Sequence, residues 1–166
     1  LTQSGTFGQT GVGTGIAITS TSTISGAAAT NYSLTQPSLT ARNITAKALT
    51  IGSPTIASKV YDGTTASGAV TVGTLSGFIG TETVTATATG AYSDANVGTG
   101  KTATVTYTLA NGTNGGLATN YSLASGSATG NITVKALTVT GATTANKVYD
   151  GNNTATITAG TLVGIV

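Results

Sequence analysis

The sequence predicts an all-β fold of small antiparallel β-sandwiches in tandem, and three observations lead there. Composition is the first: Thr fills roughly a quarter of the 166 positions, 24 residues are Gly and only 6% are charged. Such a mixture suits short strands joined by tight turns, because β-branched side chains pack well on a pleated surface and lose rotamer freedom in helices. The second is strict alternation of apolar residues with Thr, and the third is a long internal repeat.

The alternation is clearest at residues 102–109, where Ala103, Val105, Tyr107 and Leu109 share one face and Thr102, Thr104, Thr106 and Thr108 the other. A period of two is the mark of a half-buried strand. Val84, Ala86 and Ala88 alternate with Thr83, Thr85, Thr87 and Thr89 in the same way. Shorter strands are expected at Val70–Val72, Tyr121–Leu123, Ile132–Val134 and Leu137–Val139. Asp62-Gly63 and Asn111-Gly112 read as tight turns, since Asn, Asp and Gly tolerate positive φ.

The repeat sets the domain organisation. Lys59-Val60-Tyr61-Asp62-Gly63 returns as Lys147-Val148-Tyr149-Asp150-Gly151, 88 positions later, and Asn43-Ile44-Thr45 and Lys47-Ala48-Leu49-Thr50 return at the same spacing as Asn131-Ile132-Thr133 and Lys135-Ala136-Leu137-Thr138. Ala29–Leu34 matches Ala118–Leu123, and Val12–Gly15 matches Val97–Gly100, at slightly different spacings that place small length changes in loops. A unit this long exceeds one solenoid coil and suits a whole small domain. Residues 1–47 therefore read as the C-terminal part of one copy, 48–135 as a complete copy, and 136–166 as the N-terminal part of a third. Six or seven short strands per copy suggest an immunoglobulin-like sandwich. A β-helix would need a shorter repeat. The terminal pieces, too small to bury a core alone, imply a longer array or completion by neighbouring chains.

The ordered blocks KVYDGTT, GTLSGF, AYSDANVGTGK, TNYSLASGSATGNIT and KALTV resemble the YDG-type repeat domain of large bacterial surface proteins, notably filamentous-haemagglutinin-like adhesins. The resemblance implies an extracellular, mostly β module that extends a cell-surface adhesin or secreted filament. It implies no catalysis. The first copy departs from the pattern, with Gly5–Gly11 standing opposite Gly90–Asn96 and no acidic residue where the complete copy has Asp94.

Residue chemistry bounds the alternatives. Cys, His, Met and Trp are absent, which removes disulfides, sulfur chemistry and the commonest general base and metal ligand. No cofactor is implied. A net charge of +2 from scattered Lys and Arg, without basic runs, makes nucleic acid a poor partner, and no apolar run is long enough to insert in a membrane. The expected partners are neighbouring repeats of the same or identical chains. Lys59 and Asp62 as a reactive pair are chemically conceivable, as a Ser or Thr nucleophile with a lysine base or as a lysine joined to Asn in an isopeptide cross-link with Glu82 as the nearby carboxylate. The preferred reading of Lys59–Gly63 and Lys147–Gly151 is structural: Val60 and Tyr61 anchor a strand in the core while Asp62-Gly63 turns the chain. Calcium wants clustered carboxylates, and Asp62 and Asp150 occupy equivalent places in different copies. Thr ladders raise glycan or ice recognition as the alternative function. Four Asn-X-Ser/Thr sequons, at Asn31, Asn43, Asn120 and Asn131, are formal glycosylation matches, and Tyr32 and Tyr121 are expected in cores.

Overall fold

The computed structural model describes all 166 residues. It is almost entirely β, with 43% of residues in strands and no α-helix. The helical content is two short 3-10 turns at the matched positions Ala29–Asn31 and Ala118–Asn120. No helix is long and apolar enough to cross a membrane.

The two long strands span Val84–Tyr92 and Gly98–Asn111. They extend beyond the expected segments, and the alternation holds throughout. Ala103 and Val105 are fully buried while Thr102, Thr104 and Thr106 face solvent. Gly98–Asn111 pairs antiparallel with Gly126–Thr133, with Ala103 opposite Ala128 and Val105 opposite Gly126. The spatial order of this four-stranded sheet is Val84–Tyr92, Gly98–Asn111, Gly126–Thr133, Lys59–Val60. All other pairings are two-stranded.

Two compact units emerge from the contacts. The first comprises residues 1–52, 74–87 and 107–124, and the second 53–73, 88–106 and 125–166. In the first, Leu49, Val84 and Tyr121 form a buried cluster flanked by Leu75, Phe78, Leu109 and Leu123. Phe78 meets the Tyr121 ring edge to face, with centroids 5.9 Å apart, the geometry the aromatic quadrupoles favour. In the second, Tyr92, Ala103 and Ile132 are buried, with Ile56 and Tyr61 packed against them.

Several expectations need correction. The sheets are not wholly antiparallel: Tyr121–Ser122 runs parallel to Lys47–Ala48, and Ile132–Thr133 parallel to Lys59–Val60. Parallel neighbours need long connections, and these partners lie more than seventy residues apart in sequence, beyond the reach of any local pattern. The positive φ expected at Asn111-Gly112 falls instead at Asn114 and Gly115. Asn111 closes its strand and its Oδ1 accepts the Ala118 amide at 2.8 Å. Gly112 and Gly116 are required for a different reason, since a Cβ on either would collide with the Thr83 carbonyl. Val60, expected in the core, is exposed, as are Val148 and Tyr149 in the third copy and Tyr32 in the first. Tyr61 is half-buried.

A glycine-centred bulge recurs in both copies that contain it. Gly15 and Gly100 adopt positive φ and donate their amides to Asn43 Oδ1 and Asn131 Oδ1 at 2.9 and 2.8 Å. Two of the four sequon asparagines thereby serve the backbone.

Because the Thr83 carbonyl is fixed and backbone cannot yield cheaply, Gly116→Ala is expected to destabilise the protein by about 1–3 kcal/mol, as overpacking does. Urea unfolding monitored by circular dichroism measures the shift.

Candidate functional site

The rare charges converge on turns. Lys59 lies on the short strand Lys59–Val60, whose parallel partner directs the chain into Tyr61-Asp62-Gly63. Gly63 has φ +77°, and this left-handed step, easy for glycine, folds the backbone over Asp62. Asp62 Oδ1 then accepts the amide and hydroxyl of Thr64 at 2.9 and 2.8 Å. This is an Asx turn, in which a short acidic side chain closes on the backbone two residues ahead. Lys59 Nζ seals it, donating to Asp62 Oδ1 at 2.7 Å, Thr64 O at 2.9 Å and Ala66 O at 2.7 Å. The Lys59 side chain is 10% exposed whereas Asp62 is half exposed, so the cation stem packs inward and the carboxylate faces water.

The same device recurs twice. Lys147 Nζ donates to Asp150 Oδ1 and Asn152 O, both at 2.7 Å, and Asp150 Oδ1 accepts the Asn152 amide at 3.1 Å. Lys101, on a different strand, donates to Asp94 Oδ1 and to Asn96 O, and Asp94 Oδ1 accepts the Asn96 amide at 2.8 Å. In all three, one ammonium bridges the Asp carboxylate and the carbonyl two residues beyond it. The shared local pattern is Asp-X-Thr or Asp-X-Asn, with the lysine three residues before or seven after. That pattern is visible in DGT, DAN and DGN. The Lys101–Asp94 member escapes sequence reasoning because its seven-residue separation spans the turn before Gly98–Asn111 and matches no local period.

The first copy carries a neutral version. Gln9 occupies the place of Asp94, Gly11 that of Asn96, and Ile16 that of Lys101. Gln9 Nε2 donates to Gly11 O at 3.1 Å and Val12 O at 3.3 Å. The side-chain amide now satisfies the carbonyl two residues ahead that the ammonium satisfies in the complete copy.

Electrostatics follow the geometry. The hydrogen bond from Lys59, then those from the Thr64 amide and hydroxyl, lower the Asp62 carboxyl from 3.8 to about 2. Asp94 and Asp150 are lowered by the same arrangement, with Lys101 and Lys147 as the leading causes. Charge-assisted bonds favour the ionised acid. Amide cross-linking needs a neutral amine beside a carbonyl carbon made electrophilic by protonation or neutral amide character. A carboxylate held ionised opposes it. Glu82, the other acid, accepts the Tyr121 hydroxyl at 2.6 Å, and that hydroxyl accepts the Ile79 amide at 3.1 Å. Donation to Glu82 raises the Tyr121 phenol above its usual range.

The profile of the YDG domain matches residues 45–129. The chain belongs to the YDG domain family. The matched segment contains Tyr61-Asp62-Gly63, the Lys59 clamp and the Asp94–Lys101 clamp, so the YDG signature coincides with a clamped turn. No curated protein and no solved structure matches the chain. The ten motif residues separate in the YDG fold: Lys59, Asp62 and Gly63 build the turn and Tyr61 packs on the second cluster. In the third copy Lys147, Asp150 and Gly151 rebuild the turn while Val148 and Tyr149 stay exposed.

Two measurements test the clamps. Since Asp62 has its folded pKa depressed, its stabilisation is fully present above pH about 4 and is lost as pH falls from 3.8 towards 2. Carboxyl NMR titration is expected to place Asp62 near 2, and Asp62→Asn to flatten that part of the acid-unfolding curve. In a double-mutant cycle, Lys101→Ile alone strands Asp94 and lowers the melting temperature, whereas adding Asp94→Gln restores part of the loss by reproducing the Gln9–Ile16 arrangement.

Proposed function

We propose that the chain is a structural repeat module, the shaft of an extracellular bacterial adhesin or filament, and that it is non-catalytic. In this reading each copy of about 88 residues is a small immunoglobulin-like sandwich. The observation that carries it is the repeated lysine-clamped turn. Its polar groups are consumed by hydrogen bonds to their own loop, which suits a role in holding shape. Catalysis draws on groups with a free lone pair or a transferable proton near a substrate.

Other features agree. Antiparallel ladders resist shear because many hydrogen bonds share the strain, and the Gly98–Asn111 strand offers a long one. Low charge density limits self-repulsion between neighbouring copies. Resemblance of the block order to adhesin repeats supplies the extracellular setting.

One observation favours a second reading, in which the module itself binds glycan or ice. Thr102 stands opposite Thr129 and Thr104 opposite Ser127, all exposed, giving a hydroxyl-lined strip on paired strands. Sheet twist works against a flat lattice match.

Glycan arrays and ice-affinity purification on the full chain are expected to be negative, and immunogold labelling of unpermeabilised producing cells positive at the surface. Specific glycan or ice retention would favour the second reading, and exclusively intracellular labelling would overturn the first.

A further inference from the structure

Three contacts close a ring between the first copy and the complete one, and all three lie inside one compact unit. One is internal to the first copy, where Gly13–Ile16 pairs antiparallel with Arg42–Ile44 and Gly13 stands opposite Ile44. The next follows where the chain passes from that copy into the complete one. Lys47–Ala48 runs parallel to Tyr121–Ser122, and the Leu49 amide donates to Ser122 O at 2.8 Å. The last crosses directly from copy to copy: the Val12 amide donates to Asn120 Oδ1 at 3.0 Å, across 108 positions of sequence.

Local structure leads to this contact from both sides. Asn120 ends the 3-10 turn Ala118–Asn120, and its amide donates to Leu117 O at 3.0 Å. The turn thus presents the side chain immediately ahead of Tyr121–Ser122. Across from it, Gly11 lets the first copy approach, since a Cβ there would stand 3.3 Å from Asn120 Oδ1, tighter than ordinary van der Waals contact. Gln9 Nε2 serves the carbonyls of Gly11 and Val12, and the Val12 amide takes its acceptor from the next copy. Val12 and Asn120 are both half-buried, so water competes for the bond less than at an open surface.

We infer that Asn120 is a latch between consecutive copies, holding the first copy and residues 107–124 of the complete copy as one body. A single tether at Lys47–Ala48 leaves a hinge about that strand. A second tether at Val12, tied back to the first through the pairing of Gly13 with Ile44, triangulates the joint. The surface recognised is therefore the neighbouring copy of the same chain, read by one side-chain acceptor. Asn120 becomes the third sequon asparagine engaged by backbone, here the backbone of another copy. The inference rests on the reading of the chain as a structural repeat and adds how one copy is held against the next.

Amide hydrogen exchange and residual dipolar couplings, measured by NMR on the full chain, test the latch. Asn120→Leu removes the acceptor at similar size, and Asn120→Asp keeps an acceptor oxygen. In the wild type the Val12 amide is expected to be protected, and couplings from residues 5–20 and 107–124 to fit one common orientation. Asn120→Leu is expected to speed Val12 exchange on the order of tenfold and to split the two sets of couplings, with protection along Gly98–Asn111 retained. Asn120→Asp is expected to behave as the wild type. Should the leucine variant lose protection along Gly98–Asn111 as well, Gly11→Val, which crowds Asn120 away from Val12, replaces it with the same expected losses. A wild-type Val12 amide that exchanges like a free one, an acceptor-less variant with either readout unchanged, or an aspartate variant as impaired as the leucine one would overturn the inference. None of these results bears on the glycan, ice or labelling tests, so the functional reading stands or falls separately.

Discussion

The lysine ammonium that closes an Asx turn is the interaction on which the rest of this structure depends. The chain has only four acidic side chains, and three of them sit in such clamps. A Gly-rich β chain loses much conformational entropy when its turns are ordered, and its short strands bury little surface to offset that loss. Exposed ion pairs are ordinarily worth little. Here the ammonium also binds the carbonyl two residues past the aspartate, so one cation fixes both side chain and backbone. Lys59–Val60, the strand entering the turn, lies against Ile132–Thr133, and its lysine ties it to the chain leaving the turn at Thr64 and Ala66.

The first copy sharpens this account. If the aspartate mattered through charge alone, its replacement by Gln9 would leave the lysine in place. Instead the lysine position is occupied by Ile16, which is buried, and Gln9 binds the carbonyl directly. Acid and base are exchanged together for an amide and an aliphatic side chain, and the carbonyl two residues ahead remains satisfied. The physical requirement shared within the chain is therefore a donor for that carbonyl.

Local features of the fold were legible in the sequence, and non-local ones were not. The Thr alternation around Val105 predicts its burial because period two is a property of the strand itself. Asp62-Gly63 predicts its turn because Gly63 supplies the positive φ within two residues. Val60 fails as a core residue because its face is decided by a partner strand more than seventy residues away in sequence. Asn111-Gly112 fails as the turn because Asn114-Gly115 offers the same chemistry three residues on, and the Thr83 carbonyl, visible only in three dimensions, reserves Gly112 for close approach. The Lys59 clamp was half legible: the three-residue spacing to Asp62 was apparent, but the carbonyls of Thr64 and Ala66 carry no sequence signature.

Identical segments with opposite burial show where the organising information lies. Ala-Thr-Asn-Tyr-Ser-Leu occurs twice, and both copies begin with the same short 3-10 turn, so the segment dictates its own backbone. Yet Tyr121 is enclosed by Phe78, Glu82 and the Ile79 amide, while Tyr32 is exposed. Burial is supplied by the complementary half of the copy. In such a chain the boundary of a sequence repeat and the boundary of a cooperative core need not coincide, because a core exists wherever both halves meet. Hydrophobic burial is indifferent to connectivity, so the two halves of a copy need not be neighbours in sequence for their apolar faces to meet.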